Sequence, residues 1–211
     1  MALGRLEVVR VEIRHLRRGD LGELGVSERI YPNEEKMLKA GAIAQSKTGL
    51  GVHVHTLDYP VDGNRFPFGL DILDIFEKNG ADISKVCLDH MGVRADVDMD
   101  YCTEILKRGA YIEFETFGHE FYKDNSGRFR KEMDRERIHA ISKLCAKGFE
   151  KQILISTDVA CKTLLRKYGG CGYAHILTSV IPMMRNEGYD NQLIEQITIK
   201  NPADFLDSDM I

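Results

Sequence analysis

The sequence predicts an α/β fold built from about five strand–helix units around a parallel sheet. The first observation behind this prediction is that short apolar runs alternate five times with helical segments, at spacings of roughly 25 to 40 residues. The second is that a glycine follows each of these helical segments, where a left-handed C-cap is expected. A chain of 211 residues that is 43% hydrophobic and 29% charged is also large enough for one sizeable core.

The first two units follow Asp20. Leu21 to Val26 predicts a strand, and Pro32-Asn-Glu-Glu35 predicts a helix start with Asn33 as the N-cap and acidic residues in the first turn. This helix is expected to end at Gly49. Gly51 to His55 predicts the second strand, and the helix after it is marked by an apolar face of Leu70, Leu73 and Phe76.

The remaining units have the same form. Strands are predicted at Val86 to Asp89, Tyr111 to Phe114 and Gln152 to Ser156. The helix after the fourth strand is predicted to have Asp134 as its N-cap. A glycine-rich loop and two further helices, the second beginning at Asp190, close the chain.

Charge and composition exclude several classes of function. A net charge of -4 and a pI near 6.0 give no electrostatic case for a nucleic-acid partner. No apolar stretch approaches the ~20 residues of a membrane span, and the N-terminus has no apolar core of a signal peptide. The five cysteines are scattered and odd in number, which predicts reduced thiols in a cytoplasmic protein.

Metal-ligand side chains stand near the ends of four predicted strands. His55, His90 and Asp158 each end an apolar run, and Glu23 lies within a weaker one. Because the carboxyl ends of parallel strands lie on one face of a sheet, these side chains would meet there. Imidazole and carboxylate ligands suit zinc or a similar divalent ion.

Each of these residues also has a plainer interpretation. A single histidine at a strand end is usually a packed or hydrogen-bonded residue, and Glu23 alone would be a surface carboxylate. His53 lies two residues before His55 and on the same face, which makes the two a candidate metal pair. The deeper position of His53 in the strand favours a packed core histidine instead.

These segments together resemble the phosphotriesterase-related family of the amidohydrolase superfamily. The resemblance runs from about Gly19 to the C-terminus, and its motifs occur in a specific order. The motifs are Gly22-Glu-Leu-Gly-Val-Ser27, Pro32-Asn-Glu-Glu35, Val54-His-Thr56, Val86-Cys-Leu-Asp-His90, Ile153-Leu-Ile-Ser-Thr-Asp158, Tyr168-Gly-Gly-Cys-Gly-Tyr-Ala-His-Ile-Leu177 and Asn201-Pro-Ala-Asp-Phe-Leu206.

The resemblance implies that residues 21–211 form the C-terminal part of a TIM (β/α)8 barrel with a two-metal centre, most simply Zn²⁺. Glu23 matches the carboxylate that bridges the two ions, and His55 and His90 match the histidines that bind the more exposed ion. Asp158 matches the aspartate that binds the buried ion and accepts the proton of the nucleophilic water. The implied reaction is hydrolysis of a small-molecule ester, such as a phosphotriester or a lactone, by a metal-activated water.

The family pattern also begins with a strand ending in His-x-His, and no such strand precedes Glu23. The chain is therefore expected to be N-terminally truncated relative to the family, with residues 1–20 as an atypical segment. His53-x-His55 does not replace the missing pair, because the Val54-His-Thr56 motif places it on the fifth strand of the family barrel. The alternatives to an active hydrolase are a catalytically impaired remnant and an assembly module in which copies of the chain form a homo-oligomer.

Overall fold

Five strands form a single parallel sheet in the computed structural model, which describes residues 19–56, 68–92, 99–119 and 133–207. The spatial order β1-β2-β3-β4-β5 is the order of the strands in the chain. This confirms the predicted α/β fold with a parallel sheet. The strands are β1 (Asp20–Gly25), β2 (Gly51–His55), β3 (Val86–Leu88), β4 (Tyr111–Phe114) and β5 (Ile153–Ile155).

A helix follows each of the first four strands. These helices are α1 (Pro32–Thr48), α2 (Gly69–Lys78), α3 (Met99–Lys107) and α4 (Asp134–Cys145). The C-terminal region is more irregular, because two π-helical segments, Ile176–Val180 and Gln196–Lys200, are joined to short α-helices. Those α-helices are α5 (Ile181–Asn186), α6 (Asn191–Glu195) and α7 (Asn201–Leu206).

The two faces of the sheet have different characters because successive strand residues point to opposite sides. One face packs against the helices and is apolar and fully buried, with residues such as Val52, Val54, Leu88, Ile112 and Ile153. The other face carries a smaller apolar cluster of Cys87, Tyr111, Leu154 and Phe205 beside several charged side chains. Functional groups of the sheet therefore lie on this second face.

Phe205 of α7 packs against the second face. Its ring makes edge contacts with His53 and Tyr111, at centroid distances of 5.0 and 5.2 Å. Gly51 is required beneath it, because a Cβ atom there would lie 2.7 Å from the ring. The C-terminal helix thus closes the end of this face that lies away from the predicted metal ligands.

The predicted helix ends are confirmed, but two predicted N-caps are wrong. Positive φ angles occur at the glycines that follow the helices: Gly49, Gly80, Gly109, Gly148 and Gly188. Tyr31, not Asn33, is the N-cap of α1, because Pro32 already has helical geometry as the first residue. Met133, not Asp134, is the N-cap of α4. In both helices a glutamate three residues later accepts a hydrogen bond from the N-cap backbone N–H.

Replacing Glu34 with alanine is expected to lower the free energy of unfolding by about 1 to 2 kcal/mol. The Glu34 carboxylate accepts hydrogen bonds from the backbone N–H groups of Tyr31 and Ser27 and from the Ser27 hydroxyl, at 2.9, 3.2 and 2.5 Å. Urea denaturation would measure the loss. Glu35→Ala is the matched control, because Glu35 makes only an exposed ion pair with Lys39 in the described part of the chain. Equal losses in both variants would contradict the capping role.

The N-terminal segment predicted to be atypical lies mostly outside the described residues. The description starts at residue 19, and the first strand already includes Asp20. All five cysteines lie in the described ranges, and none of them forms a disulfide bond. No helix in the described ranges is both long enough and apolar enough to cross a membrane.

Candidate metal centre

Three of the four predicted metal ligands meet at the carboxyl end of the sheet. Glu23, His55 and His90 come from β1, from the end of β2 and from the residues just after β3. One ligand atom of each lies within 4.8 Å of the others. These three residues are called the outer site below, and they meet because adjacent parallel strands end at the same edge.

The ligand atoms of the outer site lie close to one another. His55 Nδ1 lies 3.2 Å from Glu23 Oε1 and 2.8 Å from His90 Nε2. The two imidazole rings are nearly perpendicular, with centroids 4.3 Å apart. The side chains of Glu23 and His55 are about half exposed, at 53% and 41% of their surface, so the site opens to solvent.

His90 is held in place by its backbone and by Glu115. Its φ angle of 60° is in the left-handed region, which a residue with a side chain adopts only at a cost of about 1 to 2 kcal/mol. Glu115 accepts a hydrogen bond from the His90 backbone N–H at 2.9 Å and also pairs with His90 Nδ1. A carboxylate on one ring nitrogen orients the other nitrogen, Nε2, toward the outer site.

Asp158, the fourth predicted ligand, is not part of this group of three. It lines the same cavity of about 240 Å³ as Glu23, His53 and Glu115. Its φ angle of 36° is also in the left-handed region. Asp158 therefore shares this cavity with one member of the outer site, Glu23.

A second group of potential ligands lies one layer deeper on the same face. His53, Cys87, Asp89 and Glu113 each place one ligand atom within 4.8 Å of the others, and they are called the inner cluster below. His53 Nδ1 lies 2.8 Å from Asp89 Oδ1 and 3.2 Å from Glu113 Oε2. The side chain of His53 is only 18% exposed, which agrees with the deep position that the sequence favoured. Its nearest polar partners are carboxylates, however, so it is not simply a packed core histidine.

The inner cluster has strongly perturbed acid–base properties. Burial raises the pKa of Asp89 to about 7, although the hydrogen bond with His53 opposes this change. Burial alone would lower the pKa of His53, but its interaction with Cys87 and its hydrogen bonds with Asp89 and Glu113 outweigh this effect and raise that pKa. Burial also raises the pKa of the Cys87 thiol. Such shifts are typical of functional sites as well as of structural ion pairs.

Sequence reasoning missed Glu115 and three members of the inner cluster. The sequence does contain a signal for these residues. Three neighbouring strands each carry two functional residues that are two positions apart and therefore lie on one face. The pairs are His53 and His55, Cys87 and Asp89, and Glu113 and Glu115. Cys87 and Asp89 lie within the apolar run of the third predicted strand, where the local sequence does not mark them as functional.

The loops after β4 and β5 enclose a second cavity, of about 690 Å³. Asp134 and His175 line it, with His175 Nε2 2.5 Å from Asp134 Oδ2. Gly169, Gly170 and Cys171 of the glycine-rich loop form another part of its wall. The loops are joined by a 3.0 Å contact between His119 Nε2 and the Thr157 carbonyl oxygen.

The donor atoms of the outer site fit a divalent metal ion. Two imidazole nitrogens and a carboxylate oxygen are ligands that zinc accepts readily. Their separations of 2.8 and 3.2 Å are close to the distances between ligands around a tetrahedral ion, about 3.3 to 3.8 Å. Little rearrangement would be needed for these three residues to hold an ion.

Comparisons with known proteins identify relatives along nearly the whole chain. Residues 11–206 match the model of the phosphotriesterase family. The chain is 36% identical over 190 residues to N-acetyltaurine hydrolase from Xenopus tropicalis, a match that covers 89% of this chain and 52% of that protein. The chain thus spans about half the length of the curated relatives it matches.

Solved structures show the same fold. A resiniferatoxin-binding protein from Rhodobacter sphaeroides is 34% identical with a TM-score of 0.78, and the match covers 85% of this chain and 48% of that one. A lactonase from Listeria monocytogenes is 28% identical with a TM-score of 0.71, over 87% of this chain and 53% of that one. The prediction that the five units form part of a (β/α)8 barrel is confirmed.

Proposed function

Because the chain belongs to the phosphotriesterase family, as its motifs predicted, we propose that it is a metal-dependent hydrolase of small-molecule esters or amides. The observation that carries this proposal is the convergence of Glu23, His55 and His90 at the ends of three adjacent strands. The named relatives of the chain include two hydrolases, a lactonase and an N-acetyltaurine hydrolase.

Zinc is the metal we propose for the outer site, held by Glu23, His55 and His90. When bound, such an ion supplies a Lewis acid that polarises the substrate oxygen and lowers the pKa of water to about 7. Glu115 fixes the tautomer and the orientation of His90 through its contact with Nδ1. The exposure of Glu23 and His55 leaves an open approach for substrate.

Asp158 is the residue we propose as the proton acceptor. It lines the cavity that Glu23 also borders, and its carboxylate is not one of the three convergent ligands. An ionised carboxylate in this position can take a proton from the nucleophilic water and later return it to the leaving group. A base of this kind contributes about 10² to 10⁴-fold to the rate.

The substrate is proposed to extend toward the cavity formed by the loops after β4 and β5. These loops follow the strands whose ends carry Glu115 and Asp158, and the cavity of about 690 Å³ is large enough for a small molecule. The sequence favoured an ester. The name N-acetyltaurine hydrolase denotes cleavage of an amide, so the proposal includes both kinds of acyl bond.

Zinc-loaded protein is expected to hydrolyse a γ-lactone, a p-nitrophenyl carboxylic ester or N-acetyltaurine, in a reaction that a chelator abolishes and added Zn²⁺ restores. Asp158→Asn should lower kcat by about 10² to 10⁴-fold while the outer site still binds its ion, because its ligands are unchanged. Elemental analysis would measure the bound metal, and product release would measure the activity. Asp71→Asn, on the surface of α2, is the matched control.

The outcome also separates the alternatives. A chain that binds no metal and cleaves none of these substrates is an impaired remnant, and the enzyme proposal is then wrong. A chain that binds metal and hydrolyses substrate only as a dimer in size-exclusion chromatography supports assembly from several copies. Full activity of Asp158→Asn would contradict the role proposed for that carboxylate while leaving the metal site intact.

A further inference from the structure

We propose that the inner cluster is a second, sulfur-containing metal site, in which Cys87, His53, Asp89 and Glu113 bind one zinc ion. These ligands are distinct from those of the outer site. The proposal does not depend on hydrolysis, because it concerns metal binding alone.

The chemistry of the four side chains favours zinc. A thiolate, an imidazole and two carboxylates provide four ligands of three types that zinc binds in tetrahedral sites. The distances from His53 Nδ1 to Asp89 Oδ1 and to Glu113 Oε2 are 2.8 and 3.2 Å. The longest separation within the cluster is at most 4.8 Å, so a contraction of about 1 Å would close the site around an ion.

The charge balance of the inner cluster favours a bound cation. Asp89 and Glu113 are largely buried, and a third carboxylate, that of Asp20, lies 3.8 Å from His53 Nε2. The two carboxyl groups of the cluster and that of Asp20 thus surround one imidazole, and a single imidazolium balances only one ionised carboxylate. A divalent ion would balance two, and buried charges are normally paired or coordinate metals.

An ion has a path into the cluster. His53, Asp89 and Glu113 line the cavity of about 240 Å³ that also reaches Glu23 and Asp158, and this cavity is open to solvent. Cys87 lies beneath it and is fully buried. Binding would displace the proton of the Cys87 thiol, so we expect metal uptake to weaken as the pH falls.

The inner cluster adjoins the outer site along the chain. Asp89 precedes the outer ligand His90, and His53 lies two residues from the outer ligand His55. β2 therefore supplies one ligand to each site from the same face, and the inner ligands Cys87 and Asp89 come just before the outer ligand His90 in the chain. An ion in the inner cluster would tie β2, β3 and β4 together beneath the outer site.

Cobalt(II) titration of the metal-free protein tests the proposal, because thiolate ligands give a charge-transfer band that nitrogen and oxygen ligands do not. The outer site has no sulfur ligand, so an ion bound there does not give this band. We expect the band in the unmodified protein and its complete loss, with one fewer ion bound, in Cys87→Ala. Cys102→Ala, which removes another fully buried thiol from α3, is the matched control and should keep the band.

Two further variants keep the test decisive. Glu113→Gln preserves the size of the side chain and should weaken cobalt binding in this band at least about tenfold, even if Cys87→Ala folds poorly. His90→Ala should keep the band, because it changes only the outer site. Cobalt uptake without a charge-transfer band, or a band that survives in Cys87→Ala, would overturn the proposal.

Discussion

Replacing His90 with alanine is expected to weaken metal binding at the outer site by more than about 100-fold. Loss of a residue that merely orients a ligand costs about 10 to 100-fold in metal affinity, and the loss of a direct ligand should cost more. Only Glu23 and His55 of the convergent group would remain, and both are about half exposed. Isothermal titration of the metal-free protein with Zn²⁺ would measure the change.

His90→Gly separates the loss of a ligand from damage to the fold. The φ angle of 60° at His90 suits glycine better than alanine, so the glycine variant should be the more stable of the two by about 1 kcal/mol. Both variants should lose metal to the same extent. His139→Ala is the control, because that histidine lies on α4 and pairs with Glu187. Unchanged zinc affinity of the outer site in His90→Gly would refute the assignment.

Replacing Asp134 with alanine is expected to lower the free energy of unfolding by about 3 to 5 kcal/mol. Its carboxylate lies 2.9 Å from the guanidinium of Arg137, which is fully buried, and accepts a hydrogen bond from the Gly118 backbone N–H at 2.8 Å. Without it, a buried positive charge would lose this partner. His175, which contacts the second carboxylate oxygen, would also be released.

Urea denaturation in the presence of a chelator measures this effect without a contribution from bound metal. Asp74→Ala is the matched control, because Asp74 also pairs with an arginine, Arg108, but is half exposed. An exposed ion pair of this kind contributes about 0 to 1 kcal/mol. A loss below about 1 kcal/mol in Asp134→Ala would show that Arg137 finds adequate compensation elsewhere.

The sheet and the outer site were predictable because both follow from strand periodicity. An apolar run that ends on a histidine places that histidine at the carboxyl edge, and parallel strands bring such edges together. Glu23, His55 and His90 therefore converge as the sequence suggested. Asp158, just after β5, lies outside this group of three but lines the cavity that Glu23 borders.

The inner cluster was less accessible to sequence reasoning because its residues lie within strands rather than at their ends. Asp89 follows three fully buried residues, Val86, Cys87 and Leu88, and the whole run resembles packed core. Only the pairing register, which sets His53 opposite Cys87, places the functional groups of the two strands side by side. Register depends on contacts between distant segments, which local patterns do not encode.

The misplaced N-caps have a different cause. Asparagine and aspartate are favoured N-caps, which made Asn33 and Asp134 the natural choices. In the fold, Tyr31 and Met133 occupy those positions because the glutamates three residues later satisfy their backbone N–H groups. The Asp134 carboxylate instead pairs with the buried Arg137 and accepts a hydrogen bond from the backbone N–H of Gly118 in the loop after β4. Only the tertiary structure defines this role.

The sequential order of the five strands has a consequence for how the sheet assembles. Each described strand pairs with its nearest neighbour along the chain, so the paired residues are separated by roughly 25 to 40 positions. No strand has to wait for a distant segment of the described chain before it can pair. The sheet can therefore grow or fray one unit at a time, as stacked repeats do, with the most persistent pairing at its centre.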